Sequence, residues 1–224
     1  MFDLDGVLVD SEHLWEQGWS RVASAHGYQW TDADTAACQG MSVPEWAGYL
    51  GDRAQHPATQ VADDVVEGIV AAYRAGTVSL LRGARELVET VAALVPVALA
   101  SSAARPIIDV VLESMDLRRF FGATVSSAEV ERGKPSPDVY TEAIRRLGIV
   151  SAGSFAVEDS SNGVRAAAAA GLNVIAVPTD RYPLDADASS RALRVAADRE
   201  QVRIELLRAL GGDRLAGSDT RRSP

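Results

Sequence analysis

Hydrophobic and polar positions follow two different patterns along the chain. From Leu80 onward, short apolar runs rich in β-branched residues alternate with longer segments of helical periodicity, which is typical of parallel strands joined by crossover helices. Right-handed crossovers would stack these elements into a doubly wound layer. The predicted strands are 97–100, 123–126, 155–157 and 174–177, and the predicted helices are 84–94, 107–115, 136–148, 165–170 and 200–210.

The segment 11–78 has helical periodicity throughout and contains no convincing strand. Trp15, Trp19 and Val22 form one apolar stripe, which Gly27 ends. Further helices are indicated by Thr31 as a cap, by a capping box of Ser42 and Glu45, and by an apolar stripe from Val65 to Tyr73.

We therefore predict an α/β fold with a doubly wound parallel-sheet (Rossmann-like) core and an inserted α-helical cap domain. The core comprises residues 1–10 and 79–210, and the cap comprises residues 11–78. Residues 211–224 are polar and are predicted to form a flexible tail. Only Met1 and Phe2 precede the first acid, so we expect further strand residues upstream of them.

Composition narrows the class of protein. A formal net charge of −9 over 224 residues argues against binding to nucleic acid or to an anionic membrane, because the chain has no basic stripe. No apolar run reaches the length of a bilayer span, and the start lacks the pattern of a signal peptide. The single cysteine, Cys38, fits a reducing compartment. We expect a cytoplasmic protein that is a monomer or a weak dimer.

One lysine stands out among the basic residues. Lys134 is the only lysine in a chain with 22 lysine and arginine residues. An ammonium group is a compact point charge, whereas a guanidinium is a planar fork, so a position kept as lysine indicates a need for the point charge. Together with the Asp3-Leu4-Asp5 triplet, Lys134 indicates phosphoryl chemistry.

Polar residues follow three of the predicted strands, and a short first strand at Met1 and Phe2, at the carboxyl ends where open parallel sheets bind their ligands. These residues are Asp3, Asp5, Ser101, Lys134, Glu158 and Asp159.

Each of these residues also has a purely structural interpretation. Asp5 with Gly6 forms a common turn sequence, Ser101 suits a helix cap, and Lys134 suits a solvated loop. The acids at 158–159 suit a cap of the next helix. Two adjacent acids at the end of an apolar strand repel each other unless a cation joins them, however, so the set as a whole favours a functional site.

The charges of the set indicate a mechanism. Several carboxylates at one sheet edge need a hard divalent cation with oxygen ligands, and Mg²⁺ suits a site that also holds phosphate. Lys134 and the Ser101 hydroxyl would hold phosphoryl oxygens and stabilise the developing charge. One carboxylate can then attack phosphorus, while the acid two residues further on protonates the leaving oxygen and later activates water.

The chain resembles the haloacid dehalogenase (HAD) superfamily, in the group with a helical cap inserted after the first motif. Four motifs carry the resemblance in the family's order, and it covers roughly residues 1–177. They are the segments Phe2–Asp10, Ala98–Ser101, Gly133–Asp138 and Val157–Ser160.

The resemblance implies specific roles. Asp3 is the nucleophile that forms an aspartyl phosphate, and Asp5 is the general acid and base, which also gives a backbone carbonyl to Mg²⁺. Asp159 is the main metal-binding acid, and Glu158 is a metal ligand or the neighbour of one. The metal set is thus Asp3, Asp5, Glu158 and Asp159, and the phosphate-binding groups are Ser101 and Lys134.

The expected activity is that of a Mg²⁺-dependent phosphatase, a HAD-like phosphoric monoester hydrolase. Its expected substrate is a small phosphorylated metabolite, a sugar or polyol phosphate. The dehalogenases of the superfamily lack the second aspartate of the first motif, so the presence of Asp5 argues against dehalogenation. Its phosphonate-cleaving members need a lysine in the cap, and residues 11–78 contain none. The alternatives are a β-phosphoglucomutase-like mutase, although Trp15 and Val43 stand where that group has histidine and arginine, and a catalytically silent binding module.

Overall fold

The computed structural model describes residues 1–38, 41–179 and 181–216, with only the backbone for 212–216. Its strands are all parallel, as expected for a doubly wound sheet. They are β1 (Ala98–Ser101), β2 (Ala123–Ser126), β3 (Phe155–Glu158), β4 (Asn173–Ala176) and β5 (Arg194–Val195).

The chain start joins two groups of strands into one sheet. β1 pairs with β2, and β4 lies between β3 and β5. Phe2 bridges both Leu99 of β1 and Val157 of β3, so the spatial order is β2, β1, segment 1–3, β3, β4, β5. The segment 1–3 therefore lies at the centre of the sheet, and the residues that follow it emerge beside the ends of β1 and β3.

Helices cover both faces of this sheet, which confirms the predicted fold class. In β1, Leu99 faces one apolar core, and Ala98 and Ala100 face the other, because side chains alternate along a strand. The helices of this part of the chain are α5 (Ala84–Ala92), α6 (Arg105–Ser114), α7 (Asp138–Leu147), α8 (Ser161–Ala169), α9 (Ala186–Arg191) and α10 (Arg199–Ala216).

Four helices lie between segment 1–3 and the rest of the sheet, in the stretch predicted to form the cap. The capping box predicted for the third of them is present, with the Ser42 N–H donating to Glu45 Oε2 at 2.8 Å. Val9 and Leu80 bridge the two chain passages that connect these helices to the sheet. The helices are α1 (Glu12–Ala25), α2 (Asp32–Cys38), α3 (Val43–Ala54) and α4 (Ala58–Arg74). The division into 1–10 with 79–210 and 11–78 stays a prediction.

Several element boundaries differ from the expected ones. β5 and α9 were not predicted, because Arg194–Val195 is exposed and both elements are short. α8 begins at Ser161 rather than 165, since the Ser160 hydroxyl accepts the Gly163 N–H at 3.1 Å and caps the helix. α10 continues past Leu210 to Ala216, into the segment predicted as a tail, and residues 217–224 lie outside the described part.

Within the described residues, every helix is too short or too polar to cross a lipid bilayer.

Candidate active site

The two aspartates of the first motif lie where the central segment leaves the sheet. The Asp3 N–H donates to the Val157 carbonyl of β3 at 3.1 Å, which fixes Asp3 at the sheet edge, where its side chain is buried. Asp5 lies two residues further on, in a tight loop. The loop places both carboxylates in the wall of one cavity.

Gly6 makes a close approach of the backbone to Asp159 possible. Its φ of +70° is in the left-handed region, and a Cβ there would lie 2.0 Å from Asp159 Oδ2. Any side chain at position 6 would therefore displace Asp159, the acid that follows β3. This explains physically why glycine follows the second aspartate of the motif.

Lys134 joins two of the acids. Its Nζ donates to Asp3 Oδ1 at 2.6 Å and to Glu158 Oε1 at 2.5 Å, although Asp3 and Glu158 are 131 and 24 residues away from Lys134 in sequence. The lysine is 3% exposed. Burial alone would lower the pKa of Lys134, but the negative charges of Asp3 and Glu158 outweigh it and raise the pKa, so the ammonium stays charged.

Glu158 is the most deeply placed of the acids. It is fully buried, and Oε1 also accepts the Tyr140 hydroxyl at 2.5 Å. A Cβ on Gly163 would lie 2.0 Å from Glu158 Oε2, so the first turn of α8 closes directly over the carboxylate. Because Ser160 caps α8, neither Glu158 nor Asp159 is needed as its cap, which removes the structural interpretation of this acidic pair.

Burial and the crowding of the carboxylates raise the pKa of Asp3 and the pKa of Asp159. Burial, with the charges of Glu158 and Asp5 opposed by Lys134, raises the pKa of Asp3 to about 8. Burial, followed by the charges of Glu158 and Asp3, raises the pKa of Asp159 well above its ordinary value. One ammonium is thus too little positive charge for the group.

The Asp5 carboxylate is held separately from the others. Its Oδ1 accepts hydrogen bonds from the Ser11 hydroxyl and from Trp15 Nε1, the latter at 3.0 Å. Burial raises the pKa of Asp5, and these two donors oppose the rise. The sequence places Trp15 in an apolar stripe and at the position where the mutase group has histidine, but it does not indicate the bond to Asp5, because an indole N–H carries no recognisable motif.

The end of β1 differs in detail from the expectation. The Ser101 hydroxyl is fully buried and accepts the Ala103 N–H at 3.0 Å, so it does not cap α6, whose N-cap is Ala104. The next residue, Ser102, lines the cavity, and its buried Oγ has no hydrogen-bond partner among the described residues. Sequence reasoning missed Ser102; the adjacent serine in the motif was the available indication.

The cavity has a volume of about 110 Å³ and lies between the sheet edge and helices α1 to α3. Its sheet side carries Asp3, Asp5, Lys134 and Asp159. Its other side is formed by Trp15, Trp19, Thr35, Cys38, Met41 and Trp46.

The residues present fit a divalent cation. Asp3, Glu158 and Asp159 each offer one carboxylate oxygen, and these oxygens lie within 4.8 Å of one another. All three are hard oxygen donors, and the closeness of three carboxylates favours the binding of a small divalent ion. The Asp5 side chain is not part of this group in the described structure, and a backbone carbonyl role for Asp5 stays a prediction.

The structure therefore brings Asp3, Asp5, Lys134 and Asp159 together around one cavity and places Glu158 directly behind them. The Ser101 side chain does not line the cavity. It accepts a hydrogen bond from the N–H of Ala103, which lines the cavity together with Ser102.

Comparison with known proteins shows the family of the chain. The family model described as haloacid dehalogenase-like hydrolase matches residues 1–177. Hexitol phosphatase B of Escherichia coli is 32% identical and covers 80% of this chain and 82% of its own length. Validoxylamine A 7'-phosphate phosphatase of Streptomyces hygroscopicus is 27% identical and covers 91% and 94%.

Two solved structures of CbbY from Rhodobacter sphaeroides are also similar, both at 25% identity. One, in complex with phosphate, has a TM-score of 0.81 and covers 90% of this chain and 94% of that one. The other, a mutant in complex with xylulose-(1,5)bisphosphate, has a TM-score of 0.76 and covers 88% and 92%. With the family model matching most of the chain, the protein belongs to the haloacid dehalogenase-like hydrolase family, in its β-phosphoglucomutase-like group, and is a phosphoric monoester hydrolase.

Proposed function

We propose that the protein is a Mg²⁺-dependent phosphatase that hydrolyses a sugar or polyol phosphate through an aspartyl phosphate on Asp3. The observation that carries the proposal is the contact of Lys134 Nζ with both Asp3 and Glu158 at the wall of a cavity that Asp159 also lines. A lone ammonium among carboxylates at the ends of parallel strands is suited to holding an anion beside an anionic nucleophile.

Asp3 attacks phosphorus in the first step. One of its carboxylate oxygens forms the new bond to phosphorus, and the bond from phosphorus to the alcohol oxygen breaks. Lys134 keeps its proton and neutralises charge at Asp3 and on the phosphoryl oxygens. Because the ammonium is already bonded to Asp3, the nucleophile and the phosphate-binding cation are positioned together.

Asp5 acts as the general acid and then as the general base. In the protonated state, which its raised pKa favours, it gives the proton to the leaving alcohol oxygen. The resulting carboxylate then takes a proton from water as that water attacks the phosphoryl group, releasing phosphate and regenerating Asp3. Ser11 and Trp15 hold the Asp5 carboxyl in one orientation throughout.

Ser102, Ser101 and the metal complete the site. The unpartnered Ser102 hydroxyl can bond a phosphoryl oxygen, and Ser101 keeps a donor proton while accepting from Ala103. Mg²⁺ held by Asp3, Glu158 and Asp159 would supply neutralising charge for the approach of one anion to another.

The relatives support a carbohydrate-like substrate. One is a hexitol phosphatase, and another is a phosphorylated carbohydrates phosphatase from Thermotoga maritima, 30% identical over 78% of this chain. The mutase alternative lacks support, because Trp15 occupies the position beside Asp5 and Val43 is absent from the described cavity wall.

The test is phosphate release from a panel of sugar, polyol and aryl phosphates, with Mg²⁺ and with a chelator. We expect Mg²⁺-dependent release from at least one sugar or polyol phosphate. Conversion of a sugar phosphate to its isomer without net phosphate release would identify a mutase instead, and no turnover of any ester would contradict the proposal.

A further inference from the structure

The cavity has one charged side and one uncharged side. The acids and Lys134 lie at the sheet edge, where the phosphoryl group is proposed to bind. The opposite side is formed by α1, α2, α3 and Met41. Apart from Glu12 at the start of α1, its side chains are uncharged indole, thioether, thiol and hydroxyl groups. This side faces the alcohol part of the substrate, so its chemistry selects among phosphate esters.

The uncharged side offers nothing to a second anion. Among the described residues, Lys134 is the only basic side chain that lines the cavity, and it is already bonded to Asp3 and Glu158. A further acid, Glu12, also lines the cavity. A second phosphate or a carboxylate on the substrate would therefore lose its hydration and meet either apolar groups or negative charge.

Two of the three arginines of the predicted cap have partners away from the cavity, and the third, Arg74 at the end of α4, is exposed and does not line it. Arg53 Nε lies 3.2 Å from Asp34 Oδ1, and its guanidinium carbon lies 3.4 Å from the ring centroid of Tyr49. Arg21 Nη2 donates to the Asp64 carbonyl at 2.7 Å. Neither arginine lines the cavity.

Three indoles form a continuous wall on the uncharged side. The Trp15 and Trp46 ring centroids are 5.9 Å apart, those of Trp15 and Trp19 are 5.8 Å apart, and those of Trp19 and Trp46 are 6.1 Å apart. Such a wall is rigid, because the rings hold one another in place. It matches the C–H face of a sugar or cyclitol ring, which is flat and apolar while the ring edge carries hydroxyls.

Trp19 also has a free hydrogen-bond donor. Its side chain is buried, and its Nε1 has no partner among the described residues, whereas Trp15 Nε1 donates to Asp5 and Trp30 Nε1 donates to Thr35 Oγ1. An indole nitrogen can only donate, and a buried donor without an acceptor is unfavourable. A substrate hydroxyl or ring oxygen at the wall would satisfy it.

We propose that the site, if it is the phosphatase site described above, selects phosphate monoesters whose alcohol part is an uncharged, hydroxylated ring, and discriminates against bisphosphates and phosphocarboxylates. The ring lies against the indole wall, and one ring oxygen accepts the Trp19 N–H. This separates the chain from its bisphosphate-bound relative, although the two share a fold.

The first test compares kcat/KM for a hexose monophosphate, the corresponding hexose bisphosphate, phosphoglycolate and phenyl phosphate, all with Mg²⁺. We expect kcat/KM for the hexose monophosphate to be at least about tenfold higher than kcat/KM for the bisphosphate and for phosphoglycolate. Equal or higher kcat/KM for the bisphosphate overturns the inference but leaves the phosphatase proposal standing. Failure of all four esters, phenyl phosphate included, contradicts the phosphatase proposal itself.

The second test separates the Trp19 N–H from the Trp19 ring. Trp19→Phe keeps an aromatic ring, and we expect the ratio of kcat/KM for the hexose monophosphate to that for phenyl phosphate to fall about fivefold or more. Trp30→Phe is the matched control, because Trp30 contacts Trp19 but does not line the cavity, and we expect it to leave the ratio unchanged. A ratio that is unchanged in Trp19→Phe, or that falls equally in Trp30→Phe, overturns the assignment of the N–H.

A third variant adds the missing charge. Met41→Lys places an ammonium on the uncharged side, and we expect it to raise the ratio of bisphosphate to monophosphate kcat/KM by about fivefold or more. Thermal unfolding of each variant shows whether it is folded. A folded Met41→Lys enzyme with the wild-type ratio would contradict the claim that charge at this wall decides selectivity.

Discussion

Two buried carboxylates in this chain have opposite surroundings. Asp34, in α2, accepts hydrogen bonds from the Tyr28 and Tyr49 hydroxyls and from Thr31, and pairs with Arg53. Burial would raise its pKa, but these donors outweigh burial and lower the pKa to about 2. The Asp3 carboxylate has one hydrogen-bond partner within the described part of the chain, Lys134, which it shares with Glu158. Burial and neighbouring acids raise the pKa of Asp3 to about 8.

The difference separates structure from function. Asp34 is saturated with donors, so its charge stabilises the helices around it and has no spare capacity for a ligand. Asp3 and its neighbours lack enough positive charge, so they are stable as a group of anions only when a cation joins them. Buried acids without enough positive charge around them lower the stability of the fold. Where such acids line a cavity, they indicate a site that binds ligands.

The largest expected effect follows from removing the Asp3 carboxylate. Asp3→Asn should lower kcat by at least about 10⁴-fold, because an amide cannot act as the nucleophile. Its free energy of unfolding without Mg²⁺ should equal or exceed that of the wild type, since one crowded charge is gone. Phosphate release and chemical denaturation measure the two quantities. Asp10→Asn, at an exposed acid of the same segment, is the control and should retain activity.

The next effect follows from removing the Lys134 charge. Lys134→Met leaves Asp3 and Glu158 buried without a cation, so the free energy of unfolding should fall by about 3–5 kcal/mol at neutral pH. Activity should fall about 10²- to 10³-fold through loss of charge stabilisation. Lys134→Arg restores the charge and should recover part of the stability. A Lys134→Met protein as stable as the wild type would show that the acids are already protonated or otherwise compensated.

A smaller effect is expected in the cap. Asp34→Asn replaces an acceptor of several hydrogen bonds and should lower the free energy of unfolding by about 1–3 kcal/mol. The kcat of the folded protein should stay within about twofold, because Asp34 does not line the cavity. Asp32→Asn, at an exposed acid of the same helix, is the control. A large loss of kcat with intact stability would mean that Asp34 takes part in the site.

The smallest effect concerns pH. Folding raises the pKa of the Asp3 carboxyl from its ordinary value to about 8. The stability that this carboxyl contributes is complete at pH values below its ordinary pKa, and it is lost as the pH rises to the pKa of the folded state. Without Mg²⁺, the free energy of unfolding should therefore fall by about 1–2 kcal/mol between about pH 6.5 and 8. Mg²⁺ should remove this slope, because it favours the ionised carboxylates. Denaturation curves with chelator and with Mg²⁺ measure both slopes, and a metal-free stability that rises over this interval would contradict the assignment.

Much of the fold followed from the sequence, because its apolar runs are buried on both faces of the sheet. β1 to β4 agree with prediction to within about a residue, since each is a short buried run with apolar helices on either side. β5 could not be predicted, because Arg194 and Val195 are exposed and no run marks them. The start of α8 depends on one hydroxyl, that of Ser160, rather than on periodicity.

The sequence was enough to predict which strand ends form the site, but not every side chain in it. The carboxyl ends of parallel strands meet at one edge, so Asp3, Lys134 and Asp159 could be placed together from the sequence. The choice between Ser101 and Ser102 depends on the turn after β1, and the bond of Trp15 to Asp5 depends on the path of α1 over the sheet. These features are set by tertiary packing, which a local pattern does not encode.

Trapping the covalent intermediate shows whether Asp3 is the nucleophile. The wild-type enzyme is mixed with Mg²⁺ and a turned-over sugar phosphate, quenched in acid, reduced with borohydride and digested, and the peptide that contains Asp3 is analysed by mass spectrometry. We expect Asp3, and not Asp5, to be converted to homoserine, which forms only from an acyl phosphate on its carboxylate. Conversion at Asp5 or at no aspartate, in an enzyme that releases phosphate, would contradict the account.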